Sequence, residues 1–364
     1  MLVLPDSMRG FTGLMAVTLS FLAAGGILVA SNRTVGRDAR RVFLSAIVAL
    51  AFITFADWFT YVFSTQLPHL RLAHIVAMAA TFAVAPVIPV AIANTIFPQP
   101  HVKWMAIPLG AQALLEVATV FGGYVFWVDE ANVYHRGSFY LAYMLVYTLS
   151  AVYLVIESIR AGRTYQSANL ATIVSILVCM MVGVGIQVVD STIRTTWPAV
   201  SMAVVLYFEF YAEMILRTDA LTKLLNRHSY DEFLETPPLP CTVVLIDVDN
   251  FKHANDTYGH AFGDVCLTTI ASLIRKTYGS HGLCYRTGGD EFTVVLTKQS
   301  KSAEELSDRL AQLVRKAQKS DERIPSVSVG FARADVGCPH IESVVAKADE
   351  HMYASKRAKK TVLA

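Results

Sequence analysis

The sequence predicts a protein in two parts, an all-α transmembrane bundle of about seven helices followed by an α+β domain. The 364-residue chain has a mean hydropathy of +0.44 and only 16% charged residues, a composition too apolar for an ordinary soluble enzyme. Long apolar blocks fill residues 1–216, the predicted transmembrane domain, whereas residues 217–364 have the mixed composition of a globular domain. In this second domain, strand patterns alternate with amphipathic helical stripes, which favours helices packed against a mainly antiparallel sheet.

Seven blocks in the first part are long enough to cross a bilayer, at about 20 residues each. They comprise residues 11–30, 42–63, 73–97, 105–127, 139–159, 168–189 and 198–216. Six spans remain an alternative, because the connection between the last two blocks is short. The first block lacks a basic leading region and a small-residue cleavage site, so it does not resemble a cleaved signal peptide.

The connecting loops predict the orientation of the spans. Cations are concentrated in the odd-numbered loops: Arg33, Arg37, Arg40 and Arg41 in the first, Lys103 in the third, and Arg160 and Arg163 in the fifth. The fourth loop instead carries Asp129 and Glu130 against one Arg136. Because positive residues favour the cytoplasmic side, we predict an N-terminus outside the cell and a C-terminal domain inside it.

Acidic residues also occur inside the predicted spans, at Asp57, Glu116, Glu209 and Glu213. A charged side chain facing lipid is costly, so we expect these groups to face the interior of the bundle. Two interpretations stay open. The acids could form a sensing pocket or a proton relay, or they could be polar contacts that hold helices together.

Charge and cysteine content exclude several classes of protein. The net charge of +2 indicates neither a nucleic-acid-binding protein nor one with a polyacidic target. The 5 cysteines have no paired spacing, so we expect reduced thiols and no zinc site.

The last predicted span leads directly into the second domain. It can continue as a helix to Arg217, which leaves no room for an intervening sensor domain or an extended coiled-coil stalk. Any signal from the membrane must therefore pass as a movement of that helix or of a dimer built on it.

The most informative motif is a glycine pair followed by two acids, Gly288, Gly289, Asp290 and Glu291, between two apolar runs. The apolar flanks predict a hairpin with the glycines in its turn. Glycines let the chain turn tightly and let a ligand approach the backbone, and the two acids can hold hard divalent cations. A glycine hairpin with acids is commonplace by itself, so its neighbours decide how it is interpreted.

A predicted buried strand, residues 242–246, ends in Asp247-Val248-Asp249. Carboxylates two residues apart on a strand project to the same side, and beside the hairpin acids they would form a cage for two cations such as Mg²⁺. Asn255 and Asp264 bracket a turn farther along, and a carboxylate there can accept two N–H donors from the edge of guanine.

Together these motifs carry a family resemblance. The matching residues are Asp219-Ala220-Leu221-Thr222, Asn226-Arg227, Asp247 to Lys252, Asn255-Asp256, Gly259-His260, Gly263-Asp264, Gly288 to Phe292, Ser328-Val329-Gly330, Ala348-Asp349, Tyr353 and Lys356. The region from Asp219 to about Lys360 resembles the GGDEF family of diguanylate cyclases, which condense two GTP into cyclic di-GMP. It covers about two-fifths of the chain.

The resemblance implies a palm-like nucleotidyl cyclase fold with a ferredoxin-like core. It implies a homodimer in which each monomer holds one GTP, with Mg²⁺ as the cofactor and Mn²⁺ as an alternative. It places the protein in a bacterial cytoplasmic membrane as a multi-pass protein, with the catalytic domain in the cytoplasm. No nucleic-acid partner is expected, and the downstream cyclic di-GMP receptor stays unidentified.

The resemblance also implies a role for each acid. Asp247 and Asp290 would coordinate the metals, with Val248 contributing its carbonyl oxygen and Glu291 assisting. Asp290 would also help to deprotonate the attacking 3′-hydroxyl. Asp249 would support this arrangement without binding the metal.

The remaining implied roles concern GTP. Asn255 and Asp264 would recognise guanine, and Gly288 and Gly289 would admit the phosphates. The cations expected to neutralise these phosphates are Lys252, Lys356 and Lys360.

Several positions depart from the family pattern. Thr287 replaces an aromatic residue, Lys223 replaces a glycine, and Lys359-Lys360 stands where Gly-Arg is usual. The family's product-inhibition site has an Arg-x-x-Asp just before the glycines, whereas this chain has Gly279-Ser280-His281-Gly282. We therefore expect no allosteric inhibitory site and no tight product inhibition through it.

Two alternatives compete with an active cyclase. One is a catalytically inactive membrane signalling module that responds to GTP or cyclic di-GMP; such members usually lose a carboxylate or a glycine, and none is lost here. The other makes the membrane part a transporter or receptor in its own right. Its few intramembrane charges and the lack of evident broken-helix repeats argue against transport.

Overall fold

The computed structural model describes residues 6–66, 70–96, 102–165, 170–190, 193–298, 301–338 and 340–363. These divide into two compact units. The first contains the described residues up to 162 and from 170 to 213, and the second contains residues 163–165 and the described residues from 214 onwards.

The first unit is almost entirely helical. Its helices are α1 (Asp6–Ser31), α2 (Arg37–Gln66), α3 (Arg71–Val84), α4 (Val87–Ile96), α5 (Val102–Gly122), α6 (Tyr140–Tyr165), α7 (Leu170–Val189) and α8 (Thr196–Leu216). A short antiparallel hairpin, β1 (Phe126–Val128) and β2 (Tyr134–Arg136), lies between α5 and α6.

Six segments of the described chain are long and apolar enough to cross a membrane. They are Met8–Ser31, Arg37–Tyr61, Arg71–Thr95, Lys103–Gly122, Tyr140–Gly162 and Thr196–Leu216. The predicted block 168–189 corresponds to α7, whose described apolar stretch, Thr172–Gln187, is shorter. The described residues thus support six spans, with α7 as a further apolar helix.

Two predicted blocks are interrupted in the structure. The described residues of the block 73–97 are divided between α3 and α4, because Pro86 between the two helices has no N–H to donate and its ring disfavours a continuous helix. The block 105–127 stops being helical at Gly122, and Gly123 then adopts a φ of +66°. The apolar residues beyond it form the β1–β2 hairpin, which the helix-length pattern did not predict.

Two of the four intramembrane acids face the interior of the first unit, as predicted. Asp57 is paired with Arg194, whose Nη1 lies 2.6 Å from Asp57 Oδ1. Glu116 is 1% exposed, and its Oε1 accepts a hydrogen bond of 2.5 Å from Gln112 Nε2. Its other oxygen, Oε2, has no hydrogen-bond partner among the described residues.

The same prediction is wrong for Glu209 and Glu213, whose side chains are exposed. The buried side of α8 carries aromatic residues instead, and Phe208 and Tyr211 both contact the ring of Phe43 on α2. These rings take the interior positions that we had expected the glutamates to share.

The second unit is an α+β domain, as predicted. It contains α9 (Arg227–Glu235), β3 (Cys241–Val248), α10 (Phe251–Tyr258), α11 (His260–Tyr278), β4 (Gly282–Arg286), β5 (Glu291–Leu296), α12 (Ala303–Ser320), β6 (Val327–Ala334) and α13 (Ile341–Leu363). The four strands form one antiparallel sheet in the order β4-β5-β3-β6, which confirms the predicted hairpin and α+β class.

Both faces of this sheet are buried. On one face, Val244 and Ile246 of β3 pack with apolar side chains of α11 and α12. On the other, Cys241 and Val243 pack with α9 and α13. Because side chains alternate along a strand, Asp247 belongs to the face that α13 covers.

The packing of α13 on this face depends on a glycine in β6. A Cβ at Gly330 would overlap the backbone of Ala348 and Met352. A residue with a side chain would push the helix away from the sheet, so Gly330 sets the distance between α13 and the end of β3.

Candidate functional site

The ends of β3 and β5 bring three acids together. Asp247 is the register partner of Glu291, and the Val248 N–H donates to the carbonyl oxygen of Asp290 at 3.1 Å. This register follows from the apolar residues of both strands, because a shift by one position would turn their buried side chains to the opposite faces. The sequence-predicted acids of the strand and the hairpin are therefore neighbours.

The glycine loop closes between these strands. The N–H groups of Thr287 and Gly288 both donate to the Glu291 carbonyl, at 3.0 and 3.2 Å. A Cβ at Gly288 would lie 2.6 Å from a carboxylate oxygen of Glu291, whereas a Cβ at Gly289 would meet nothing within 4 Å. A side chain at Gly288 would therefore displace the Glu291 carboxylate, whereas Gly289 faces open space that a ligand can enter.

An arginine connects this loop to the start of the domain. Arg286 donates to the Gly289 carbonyl through Nη2 at 2.8 Å and to Asp219 Oδ1 through Nη1 at 3.1 Å. Asp219 Oδ1 also accepts hydrogen bonds from the backbone N–H and the hydroxyl of Thr222. In the sequence, Asp219 stood out only as part of a motif, and its pairing with Arg286 was not predictable from that motif.

Asp247 lies beside a lysine from the last helix. Its side chain is 11% exposed, and Lys356 Nζ lies 2.5 Å from its Oδ1. Burial raises the pKa of Asp247, opposed by Lys356 and reinforced by the charge of Asp290. The hydrogen bond to Asp247 raises the pKa of Lys356, so this lysine stays cationic.

Asp249 points to a different set of partners. Ser326 Oγ donates to its Oδ2 at 2.7 Å, Ser328 Oγ donates to its Oδ1 at 2.6 Å, and Lys359 Nζ lies 3.1 Å from Oδ2. Burial favours a higher pKa for Asp249, but these hydrogen bonds and the charge of Lys359 outweigh it and lower the pKa below its ordinary value. Asp249 therefore holds a cation from the protein itself.

The two predicted guanine-binding residues lie on consecutive helices. Asn250 enters α10 with a left-handed φ of 54°, a conformation that asparagine tolerates well, and Asn255 follows on that helix. A Cβ at Gly263 would overlap Asn255 Oδ1, so the glycine lets this amide lie against α11, directly before Asp264. Asp264 is exposed. Its backbone carbonyl accepts a hydrogen bond from the Thr268 hydroxyl at 2.8 Å, and its carboxylate has no hydrogen bond or ion pair among the described residues.

The predicted phosphate-binding lysines are not all in one place. Lys356 pairs with Asp247, whereas Lys252 is exposed in the first turn of α10. The side chain of Lys360 lies outside the described residues. Lys359, which had been noted only as a departure from the family pattern, is the lysine that reaches Asp249.

The donor set at the β3–β5 edge suits a hard divalent cation. It consists of oxygen atoms only, from the carboxylates of Asp247, Asp290 and Glu291 and from the Val248 carbonyl, which is the ligand type that Mg²⁺ and Mn²⁺ prefer. In the described part of the chain, no three His, Cys, Asp or Glu side chains already converge on one metal position. A cation would therefore be held by a few protein oxygens together with a substrate, as Mg²⁺ commonly is.

Residues 216–361 match the family described as "Diguanylate cyclase, GGDEF domain". This segment is a GGDEF domain. Diguanylate cyclase DosC of Escherichia coli (strain K12) is 34% identical over 173 residues, which cover 43% of this chain and 37% of that relative. Diguanylate cyclase DgcS of Shewanella oneidensis is 32% identical over 155 residues, which cover 40% of this chain and 52% of that relative.

A solved structure is similar to about the same share of this chain. The GGDEF domain of DgcB from Caulobacter crescentus, in complex with c-di-GMP, is 29% identical and covers 39% of this chain and 91% of that chain, with a TM-score of 0.34. The chain spans 37% and 52% of the two curated relatives named above. These likenesses cover less than half of this chain.

Proposed function

We propose that this protein is a membrane-bound diguanylate cyclase whose output is controlled by the transmembrane unit. It would condense two GTP into cyclic di-GMP and two pyrophosphates. The observation that carries the proposal is the meeting of Asp247 with Asp290 and Glu291 at the ends of paired central strands. The GGDEF match and the diguanylate cyclases among the relatives support the same reaction.

Divalent cations would bind at this edge. Asp247 and Asp290 would hold Mg²⁺ or Mn²⁺ through their carboxylates and Val248 through its carbonyl oxygen, with Glu291 assisting. When bound, such cations stabilise negative charge on the attacking oxygen and on the leaving pyrophosphate. Asp290 is half-buried and its carboxylate has no hydrogen-bond partner among the described residues, so it is the candidate for accepting the proton of the 3′-hydroxyl.

The phosphates would lie over the glycine loop. Gly289 leaves open space there, and Gly288 would admit the chain of phosphates beside it. Lys356 already lies at the acidic edge and would exchange Asp247 for a phosphate oxygen. Lys252 and Lys360 complete the proposed set of phosphate cations.

Asn255 and Asp264 would select guanine. The Asp264 carboxylate can accept the two N–H donors of the guanine edge, and the Asn255 amide offers both a donor and an acceptor. Adenine presents no such pair of donors to a carboxylate, so this pair favours GTP over ATP.

The reaction requires two copies of the chain. The 3′-oxygen of each GTP forms a bond to the α-phosphorus of the other GTP. The bond between that phosphorus and the pyrophosphate oxygen breaks, and pyrophosphate leaves. One monomer carries one set of these residues, so we propose a homodimer in which two GTP molecules face each other. The sites lie in the cytoplasm in this proposal, where GTP is available.

Purified full-length protein in lipid nanodiscs tests the proposal directly. Incubation with GTP and Mg²⁺, followed by chromatography, should give cyclic di-GMP and pyrophosphate in a ratio of one to two. Asp290→Asn should abolish the product while GTP binding persists. Asp308→Asn, at an exposed position of α12, is the matched control and should keep the activity.

The alternative is an inactive module that binds GTP or cyclic di-GMP. It predicts nucleotide binding by a dimeric preparation without any product, and no difference between the wild type and Asp290→Asn in turnover. That result would exclude the cyclase proposal.

A further inference from the structure

Asp249 is built into the protein differently from the proposed metal ligands. Its side chain is 12% exposed, and both of its oxygens are occupied by Ser326, Ser328 and Lys359. Its backbone N–H also donates to the Ser326 carbonyl at 2.8 Å. An acid enclosed in this way is oriented toward β6 and α13, and it has no lone carboxylate oxygen left for a substrate.

Lys359 has further partners besides Asp249. Besides Asp249, its ammonium group donates to the Val327 carbonyl and lies 3.4 Å from Ser328 Oγ. The three donors of one ammonium thus meet three acceptors, one just after β3 and two at the start of β6, which satisfies the hydrogen-bonding capacity of a lysine.

Lys359 also lies one helical turn beyond Lys356. Residues three apart on a helix share a face, so the two lysines of α13 meet Asp249 and Asp247, which likewise share one side of the chain at the end of β3. The helix is held in its middle by the close approach at Gly330. The contacts of Lys359 with Asp249 and Val327 attach α13 to the sheet at a second point, beyond Lys356.

We infer that the Asp249–Lys359 pair is a clamp that positions Lys356 for the phosphates of GTP. Asp249 and Lys359 are positioning residues in this inference, which rests on the proposed cyclase function. Without the clamp, the end of α13 would lose its contacts with Asp249, Val327 and Ser328, and the Lys356–Asp247 pair beside it must itself open for the substrate. Lys356 would then approach the phosphates from a mobile helix end.

Lys359→Met tests the clamp in full-length protein in nanodiscs. Loss of one partly exposed ion pair corresponds to about a fivefold effect, so KM for GTP should rise about fivefold with kcat largely retained. Lys359→Arg should restore KM, since it replaces the cation. Lys347→Met removes an exposed lysine from the same helix and should change neither parameter.

Hydrogen exchange gives a readout that does not depend on catalysis. Backbone amides of residues 353–359 should exchange faster in Lys359→Met than in the wild type, without nucleotide present. Asp249→Asn should have the same effect, and the double variant should add little to either single change. This result would establish the clamp even in a protein that makes no cyclic di-GMP.

Two outcomes would overturn the inference. One is unchanged exchange of residues 353–359 together with unchanged KM in Lys359→Met. The other is a rise in KM for GTP in Lys359→Met that Lys359→Arg fails to reverse, or that Lys347→Met reproduces. Either would reduce the pair to a contact without a role in placing Lys356.

Discussion

The buried acids of the two units differ in how they are neutralised. In the GGDEF domain, Asp247 and Asp249 lie at the same end of β3, and each is paired with a lysine of α13. In the first, helical unit, Asp57 has an arginine partner, whereas the only hydrogen-bond partner of Glu116 among the described residues is the amide of Gln112.

This difference separates acids that hold elements together from an acid that does not. Removing one partner of a buried ion pair leaves an uncompensated charge, which costs more than the pair contributed. Glu116 has no cationic partner among the described residues, so replacing it with a neutral side chain removes the desolvation cost of a buried charge. The acids of the two units should therefore respond in opposite ways to the same conservative substitution.

The largest effect is expected from Asp247→Asn in the GGDEF domain. The change removes a proposed metal ligand and unpairs Lys356, so cyclic di-GMP formation should fall roughly 1000-fold, the equivalent of several kcal/mol of lost charge stabilisation. Product formation in nanodiscs measures it, and unchanged circular dichroism shows that the fold persists. Activity within tenfold of the wild type would remove Asp247 from the proposed site.

The next effect is expected in the first, helical unit. Arg194→Met leaves Asp57 without its cation and also removes the stacking of the guanidinium on Tyr61, whose ring centre is 4.7 Å away. The unit should lose about 3 kcal/mol of stability, seen as a lower thermal midpoint in detergent.

A second substitution checks the cause of that loss. Asp57→Asn together with Arg194→Met should recover part of the stability, because no charge is left unpaired. A double variant less stable than Arg194→Met alone would mean that the ion pair is not what the arginine contributes.

Glu116→Gln should have a smaller effect of the opposite sign. The substitution keeps the shape of the side chain and removes a buried group that lacks a counter-cation, so thermal stability should stay equal or rise by about 1 kcal/mol. A fall in thermal stability as large as that predicted for Arg194→Met would reveal a cationic partner for Glu116. Output measured across pH in the same variant tests whether this acid belongs to a sensing pocket.

The smallest effect is expected for Glu209→Gln. Glu209 is exposed on α8, and exposed substitutions usually change stability by less than about 0.5 kcal/mol. A thermal midpoint equal to that of the wild type would agree with its position outside the bundle interior.

The GGDEF domain was largely predictable from the sequence because its signals are local. The run of buried residues before Asp247 defined a strand, and Gly288 and Gly289 defined the hairpin, so the register that brings the acids together followed. The pairing of Asp249 with Lys359 did not follow, since it joins residues 110 positions apart and depends on how closely α13 packs over Gly330.

The first, helical unit was less predictable, for a physical reason. Apolar blocks indicate that a segment can span, but they do not reveal breaks such as Pro86 or the turn at Gly123 that starts the β1–β2 hairpin. Nor does an acid within such a block indicate its partner. Arg194 lies in a loop 137 positions from Asp57, and nothing in either local pattern connects them.

The end of α8 has a practical consequence for protein engineering. Asn226 donates from Nδ2 to the Leu216 carbonyl at 2.7 Å, and the Thr218 hydroxyl donates to the Met214 carbonyl at 3.2 Å. The last turn of the helix therefore depends on the GGDEF domain for its hydrogen bonds. Chimaeras that exchange the input module should be joined before Met214, so that the GGDEF domain keeps the helix terminus that it stabilises.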